Sequence, residues 1–200
     1  MRKYADHCVK MLLRQDNPPR PGRAGTFIFG QEFKDQEDYF KQTPVLVEIM
    51  PFTGNYMMMN GFPEGFEKKV YTMKDGHQGG PFPKYNMNAD KLMFFSGTDP
   101  ENMNDLGAHV EFHLGEGEDE EAFEFDEPRG VFVPKGVRHG PIYITKFRRP
   151  LIMFVVFTQP SKQACDIVND WNYVGNKEKI QEVIQGNKAL YEKFYAENPK

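Results

Sequence analysis

Residues 130–144 read GVFVPKGVRHGPIYI. The stretch reads as a strand, a sharp reversal made by Pro134 and Gly136, and a second strand that begins near His139. The same texture extends outward in both directions. From about residue 26, the runs TFIF, PVLVEIM, NYMMM, KKVYTM, KLMFF, AHVEFHL, AFEF, GVFVP, PIYIT and PLIMFVVF are rich in β-formers and punctuated by Gly, Pro and Asn. So many short runs in one segment predict an all-β sandwich or barrel.

Composition narrows the class. A chain of 200 residues is long enough for one domain with a sizeable core. Its 39% hydrophobic and 27% charged content is that of an ordinary globular chain, and it contains no apolar run of about 18 residues to span a bilayer. The longest apolar run, LIMFVVF at 151–157, is strand-sized. The N-terminus, MRKYADHCVKMLLRQD, is broken by charges and lacks the features of a signal peptide, so a cytoplasmic location without membrane attachment is expected. Cys8 and Cys165 offer neither a disulfide framework nor a thiolate cluster. A net charge of −4 argues against general nucleic-acid binding. The charge is uneven, because residues 1–24 carry Arg2, Lys3, Lys10, Arg14, Arg20 and Arg23, whereas 116–127 (EGEDEEAFEFDE) is acidic without a base.

Three segments follow from these patterns. Residues 1–25 form an N-terminal arm, in which Tyr4, Cys8, Met11 and Leu12 predict a short amphipathic helix over 3–14 that ends at NPPRPG. Residues 26–160 hold the strands. Residues 161–200 read as helices, SKQACDIVNDW and then NKEKIQEVIQGNKALYEKFYAEN, with Ile180, Val183, Ile184, Asn187, Leu190, Tyr191 and Phe194 on one stripe. Gly186 weakens the middle of the second by about 1 kcal/mol relative to Ala.

Pro134-Lys135-Gly136-Val137-Arg138-His139 resembles the second motif of the cupin superfamily, Pro-x-Gly-x-x-His. Upstream, PKYNMNADKLMFFSGTDPENMNDLGAHVEFHLGEG is similar to the corresponding stretch of small bacterial single-domain cupins of unassigned activity. The resemblance covers about residues 80–158. It implies a double-stranded β-helix, or jelly-roll, barrel of two antiparallel sheets, with the N-terminal arm and C-terminal helices packed outside. It also implies that His139 faces the barrel centre, where cupins usually bind a metal. The first motif departs from the family. The positions of its two His fall on Lys84 and Asn86, and that of its Glu on Lys91. An ammonium has no lone pair for a metal, so the resemblance implies a degenerate metal site and no cofactor.

AHVEFHL at 108–114 is the other candidate for metal chemistry, because His109, Glu111 and His113 alternate with Ala108, Val110, Phe112 and Leu114. The apolar set is expected to face the interior, leaving the polar face for solvent, a neighbouring segment or a subunit contact. The alternative joins His109, Glu111 and His113 to His139 in a shell suited to one divalent transition metal such as Fe, Mn, Ni or Zn.

The expected function is therefore small-molecule binding in a pocket lined by His139, Lys84, Asn86, Lys91 and Tyr143. If the lysines point inward, that pocket suits an anionic ligand. The alternatives are a metal-dependent cupin enzyme (an oxygenase, isomerase or lyase of small organic acids) that recruits His109, Glu111, His113 or His77, and a structural or assembly protein. A homodimer with the basic arm in its interface is expected, since the arm is too short to be stable alone and an acidic hairpin at 116–127 offers the opposite charge.

Overall fold

The computed structural model describes residues 12–14, 22–23, 25–29, 45–57, 82–87, 89–158, 165–170, 178–179, 182–183 and 185–186. Twelve strands lie among them: β1 (Leu12–Arg14), β2 (Thr26–Phe29), β3 (Leu46–Phe52), β4 (Tyr56–Met57), β5 (Phe82–Met87), β6 (Lys91–Gly97), β7 (His109–Leu114), β8 (Glu121–Phe125), β9 (Arg129–Val133), β10 (Arg138–Thr145), β11 (Leu151–Phe157) and β12 (Cys165–Asp170). They form two antiparallel sheets. The first has the order β1-β2-β3-β11-β6-β9, and the second β12-β5-β10-β7-β8, with β4 also paired to β10.

Period-two alternation decides which side chains fill the space between the sheets. In β3 and β11 every second residue is buried, placing Leu46, Met50 and Phe52 beside Leu151, Met153, Val155 and Phe157. Glu48 shares that inward phase and is buried. The second sheet contributes Val110, Phe112, Ile142 and Ile144. Phe95 of β6 meets Phe112 and Phe125 edge-on across the interior, with ring centres 6.4 and 5.3 Å apart, so aromatic contacts join the sheets. Full burial of each such side chain contributes about 1.5–3 kcal/mol.

The outer face of the first sheet is apolar as well. One cross-strand row reads Leu13, Phe27, Ile49, Phe154, Phe94 and Gly130 from edge to edge. The next reads Phe29, Val47, Val156, Leu92 and Phe132. Antiparallel sheets more often carry polar residues on one face.

Two helix expectations are corrected. Leu12–Arg14, at the end of the helix expected over 3–14, is a strand that pairs with β2. Cys165–Asp170, inside the helix expected at SKQACDIVNDW, is a strand paired with β5 along its whole length. In both segments hydrogen bonding to an available sheet edge outweighs a weak helical pattern. The expected strand KKVYTM lies outside the described residues. Farther on, Glu178, Lys179, Glu182, Val183, Gln185 and Gly186 are helical, and Val183 of the expected stripe is buried. Among the described residues no helix is long and apolar enough to cross a membrane.

Asn55 fastens this helical segment to the sandwich. Its Nδ2 donates to the Glu182 carbonyl at 3.3 Å, and its Oδ1 accepts from the Phe147 amide at 3.1 Å. Glu182 Oε1 accepts from the Lys146 amide at 2.7 Å. Gly186 approaches so closely that a Cβ there would stand 2.6 Å from Asn55 Nδ2.

Candidate functional site

The Pro134–Gly136 reversal leads from β9, the neighbour of β6 in the first sheet, to β10 in the second. Val137 N–H closes the turn on the Pro134 carbonyl at 3.1 Å, with Gly136 at φ 83°. Asp90 Oδ1 accepts from the Lys135 amide at 2.8 Å, tying the turn to the residue before Lys91. Its carbonyl accepts from the Thr158 amide at 3.1 Å, tying the same point to the end of β11.

Held this way, Lys91 and His139 meet inside the sandwich. Lys91 is 5% exposed and His139 is fully buried, with Lys91 Nζ 2.9 Å from His139 Nε2. When Lys91 is an ammonium it donates and Nε2 accepts, which puts the ring proton of a neutral His139 on Nδ1. The ring stacks on Phe112 with centroids 6.0 Å apart and planes 14° apart. Lys91 Nζ also lies 5.1 Å from the centre of the Phe157 ring, a cation–π contact. Val133 and Phe157 flank Lys91 in register, and Leu114 stands opposite His139.

Tyr143 is carried to the other side of the sheet. Residues 139 and 143 of a regular strand share a face, but the register of β10 against β7 shifts between His139 and Ile142. One extra residue in β10, around Gly140 at φ 92°, inverts the phase. His139 therefore shares the interior with Ile142 and Ile144, while Tyr143 meets the His113 ring edge-on at 5.8 Å.

The polar face of β7 belongs to that outer side. Val110 and Phe112 face the core as expected. Glu111 and His113 are nonetheless buried, because neighbouring segments cover them. His113 Nε2 lies 2.6 Å from Glu111 Oε1, and its Nδ1 lies 2.7 Å from Glu120 Oε1. Lys179 of the helical segment pairs with Glu111 and stands 3.1 Å from Glu124, which in turn meets His109 at 3.0 Å. Burial pushes the Lys179 ammonium below the usual lysine range, while Glu182 pushes it back up.

The alternative four-residue metal shell is not assembled among the described residues: His139 stacks on Phe112 between the sheets, whereas His109, Glu111 and His113 lie on the opposite face of β7. The two nitrogens of His113 point at different carboxylates, an arrangement that spreads donors instead of converging them. Among the described residues no group of three or more His, Cys, Asp or Glu side chains is placed to hold a metal ion. Lys84 and Asn86 lie on β5, where Asn86 pairs with Arg138 and Tyr85 pairs with His139, so the backbone register sets Tyr85 beside His139. His77 lies outside the described residues.

Three residues not named as site candidates from the sequence are buried or meet the β7 cluster. Glu48 stands in phase with Leu46 and Met50 in PVLVEIM, a signal legible as an acid on an inward face. Glu120 and Lys179 carry no such signal, since only folding brings the hairpin and the C-terminal segment onto β7.

No protein-family model and no curated sequence matches the chain. Solved structures with a similar chain path include an oxalate oxidase in complex with the substrate analogue glycolate, at 12% identity and TM-score 0.48, over 84% of this chain and 65% of that one. Another is the Lactobacillus farciminis oxalate decarboxylase formate complex, at 10% identity and TM-score 0.46, over 80% of this chain and 33% of that one. A third is Bacillus subtilis oxalate decarboxylase at pH 4.6, at 10% identity and TM-score 0.42, over 75% and 28%. The chain spans less than two thirds of the length of each.

Proposed function

We propose that this chain is a small-molecule-binding cupin whose metal site is degenerate and whose barrel interior takes a small anion. The resemblance of residues 134–139 to the second cupin motif and the two antiparallel sheets support the family. The contact between Lys91 Nζ and His139 Nε2 at 2.9 Å carries the function. A metal at this His would need the Nε2 lone pair, which the Lys91 ammonium already engages. Lys91, the residue at the lost Glu position, thus supplies fixed positive charge where a cupin usually holds a cation. A carboxylate about 4 Å from that ammonium gains roughly 4 kcal/mol at an effective dielectric near 20, before desolvation is subtracted. The neighbouring imidazole adds a hydrogen-bonding partner, and the rings of Phe112 and Phe157 supply an apolar wall.

Thermal-shift measurements with small carboxylates and inorganic phosphate test this reading. At about 100-fold excess over its dissociation constant a ligand stabilises the protein by roughly 2.7 kcal/mol. The shift is expected to disappear in Lys91→Met, and the same comparison with Lys84→Met shows whether that lysine takes part. Equal shifts from uncharged amides of the same acids, or an unchanged response in Lys91→Met, would overturn it. Elemental analysis after purification without chelator or metal-carrying tag is expected to give well under one transition metal per chain. About one Fe, Mn, Ni or Zn per chain, lost on His139→Ala, would restore the metal-dependent alternative.

A further inference from the structure

We propose that the outer face of the six-stranded sheet is a homodimer interface in which two copies of this chain pack sheet against sheet. Two adjacent cross-strand rows on that face carry no charged or polar side chain from β1 or β2 to β9. With strands about 4.8 Å apart and rows about 7 Å apart, the rows alone cover on the order of 400 Å². That equals the largest apolar patches usual on a monomer. It is also about half of the roughly 800 Å² that each partner buries in a standard interface, which leaves the rim to supply the remainder.

The chain's own segments leave both ends of the face open: Leu13 is 44% exposed at the β1 end, and Phe94 and Phe132 are 44% and 53% exposed at the other. A second copy fits these ends reciprocally. A two-fold axis between β3 and β11, near Ile49 and Phe154, lays the Leu13 end of one copy over the Phe94 and Phe132 end of its partner, and the reverse. Faces of twisted sheets pack in this aligned manner at about 10 Å separation. The absence of charge from the rows disfavours nucleic acid or an acidic peptide as occupant. The sheet order places β1 at one edge, so Leu13 would bring the N-terminal arm into the interface by one strand.

Light scattering on the full chain across a dilution series tests the proposal. A mass of twice 23.2 kDa is expected at high concentration. Phe94→Asp combined with Phe132→Asp is expected to raise the dissociation constant at least about 30-fold, since it puts two carboxylates in place of buried aromatic contacts at each end of the interface. Leu13→Asp, at the opposite end, is expected to weaken the dimer as well, and it decides the matter if the double variant fails to fold. A wild-type chain that is monomeric throughout, or a dimer unchanged by Leu13→Asp and by the folded double variant, overturns the proposal. A monomer that sediments with phosphatidylcholine vesicles overturns it too, assigning the face to a lipid surface.

Discussion

His139 and Tyr143 stand four residues apart on one strand, yet His139 stacks on Phe112 between the sheets and Tyr143 meets His113 on the outside. The single extra residue that separates their faces decides which polar groups share the interior with Lys91. It also decides that the histidines of β7 do not.

That inversion depends on Gly140, whose φ of 92° is strained for a residue with a Cβ. Gly140→Ala is expected to destabilise the protein by roughly 1–3 kcal/mol. The response to carboxylates is expected to weaken along with it. Urea denaturation measures the first effect, and an unchanged midpoint would show that the strand changes face without this glycine.

Lys91 buries its amine beside His139 and the Phe157 ring. Burying an ammonium costs several kcal/mol of desolvation, which an apolar side chain of similar length does not incur. Lys91→Met is accordingly expected to hold or raise the urea midpoint of the ligand-free protein. His139→Ala, which strips the ammonium of this partner, is expected to lower it. A fall in both variants would make the pair a structural brace.

Asp105 couples two loops. It accepts from the Gly107 amide at 2.8 Å and pairs with Arg148 at 2.7 Å and Arg149 at 2.5 Å. The Gly107 hydrogen bond, helped by these arginines, holds its carboxyl below the usual aspartate range. A carboxyl whose folded pKa is lowered contributes stability above its unfolded value, about pH 4, and loses it as pH falls through the folded value. Asp105→Asn is therefore expected to be less stable than the native chain at pH 7 and at pH 5, with the gap closing at pH 3. A gap that persists unchanged at pH 3 would assign the effect to lost hydrogen bonds instead of lost charge.

Asn55 and Gly186 bring the C-terminal helical segment into contact with the sandwich. Alanine at 186 improves helix propensity by about 1 kcal/mol, but its Cβ would enter the space of an amide already committed to Glu182 and Phe147. Gly186→Ala is expected to loosen the segment, so that limited proteolysis cuts it faster than in the native chain. Slower cutting would mean that propensity wins and Asn55 moves aside.

Alternation in LVEIMPF and LIMFVVF is a local property, legible from the chain because side chains on a strand face opposite ways at every step. So is the Pro134–Gly136 turn, whose residue types prescribe a reversal. By the same rule the sequence alone placed Val110 and Phe112 inside. It could not show the phase shift at Gly140, since a bulge is defined only by counting residues against the partner strand β7. Nor could it show that Leu12–Arg14 and Cys165–Asp170 become strands, because their ladders are completed by β2 and β5, far away in sequence. Burial of Glu111 and His113 was likewise decided by tertiary structure: Glu120 arrives from the hairpin and Lys179 from the C-terminal segment, and charges are buried stably only where folding brings their partners to them.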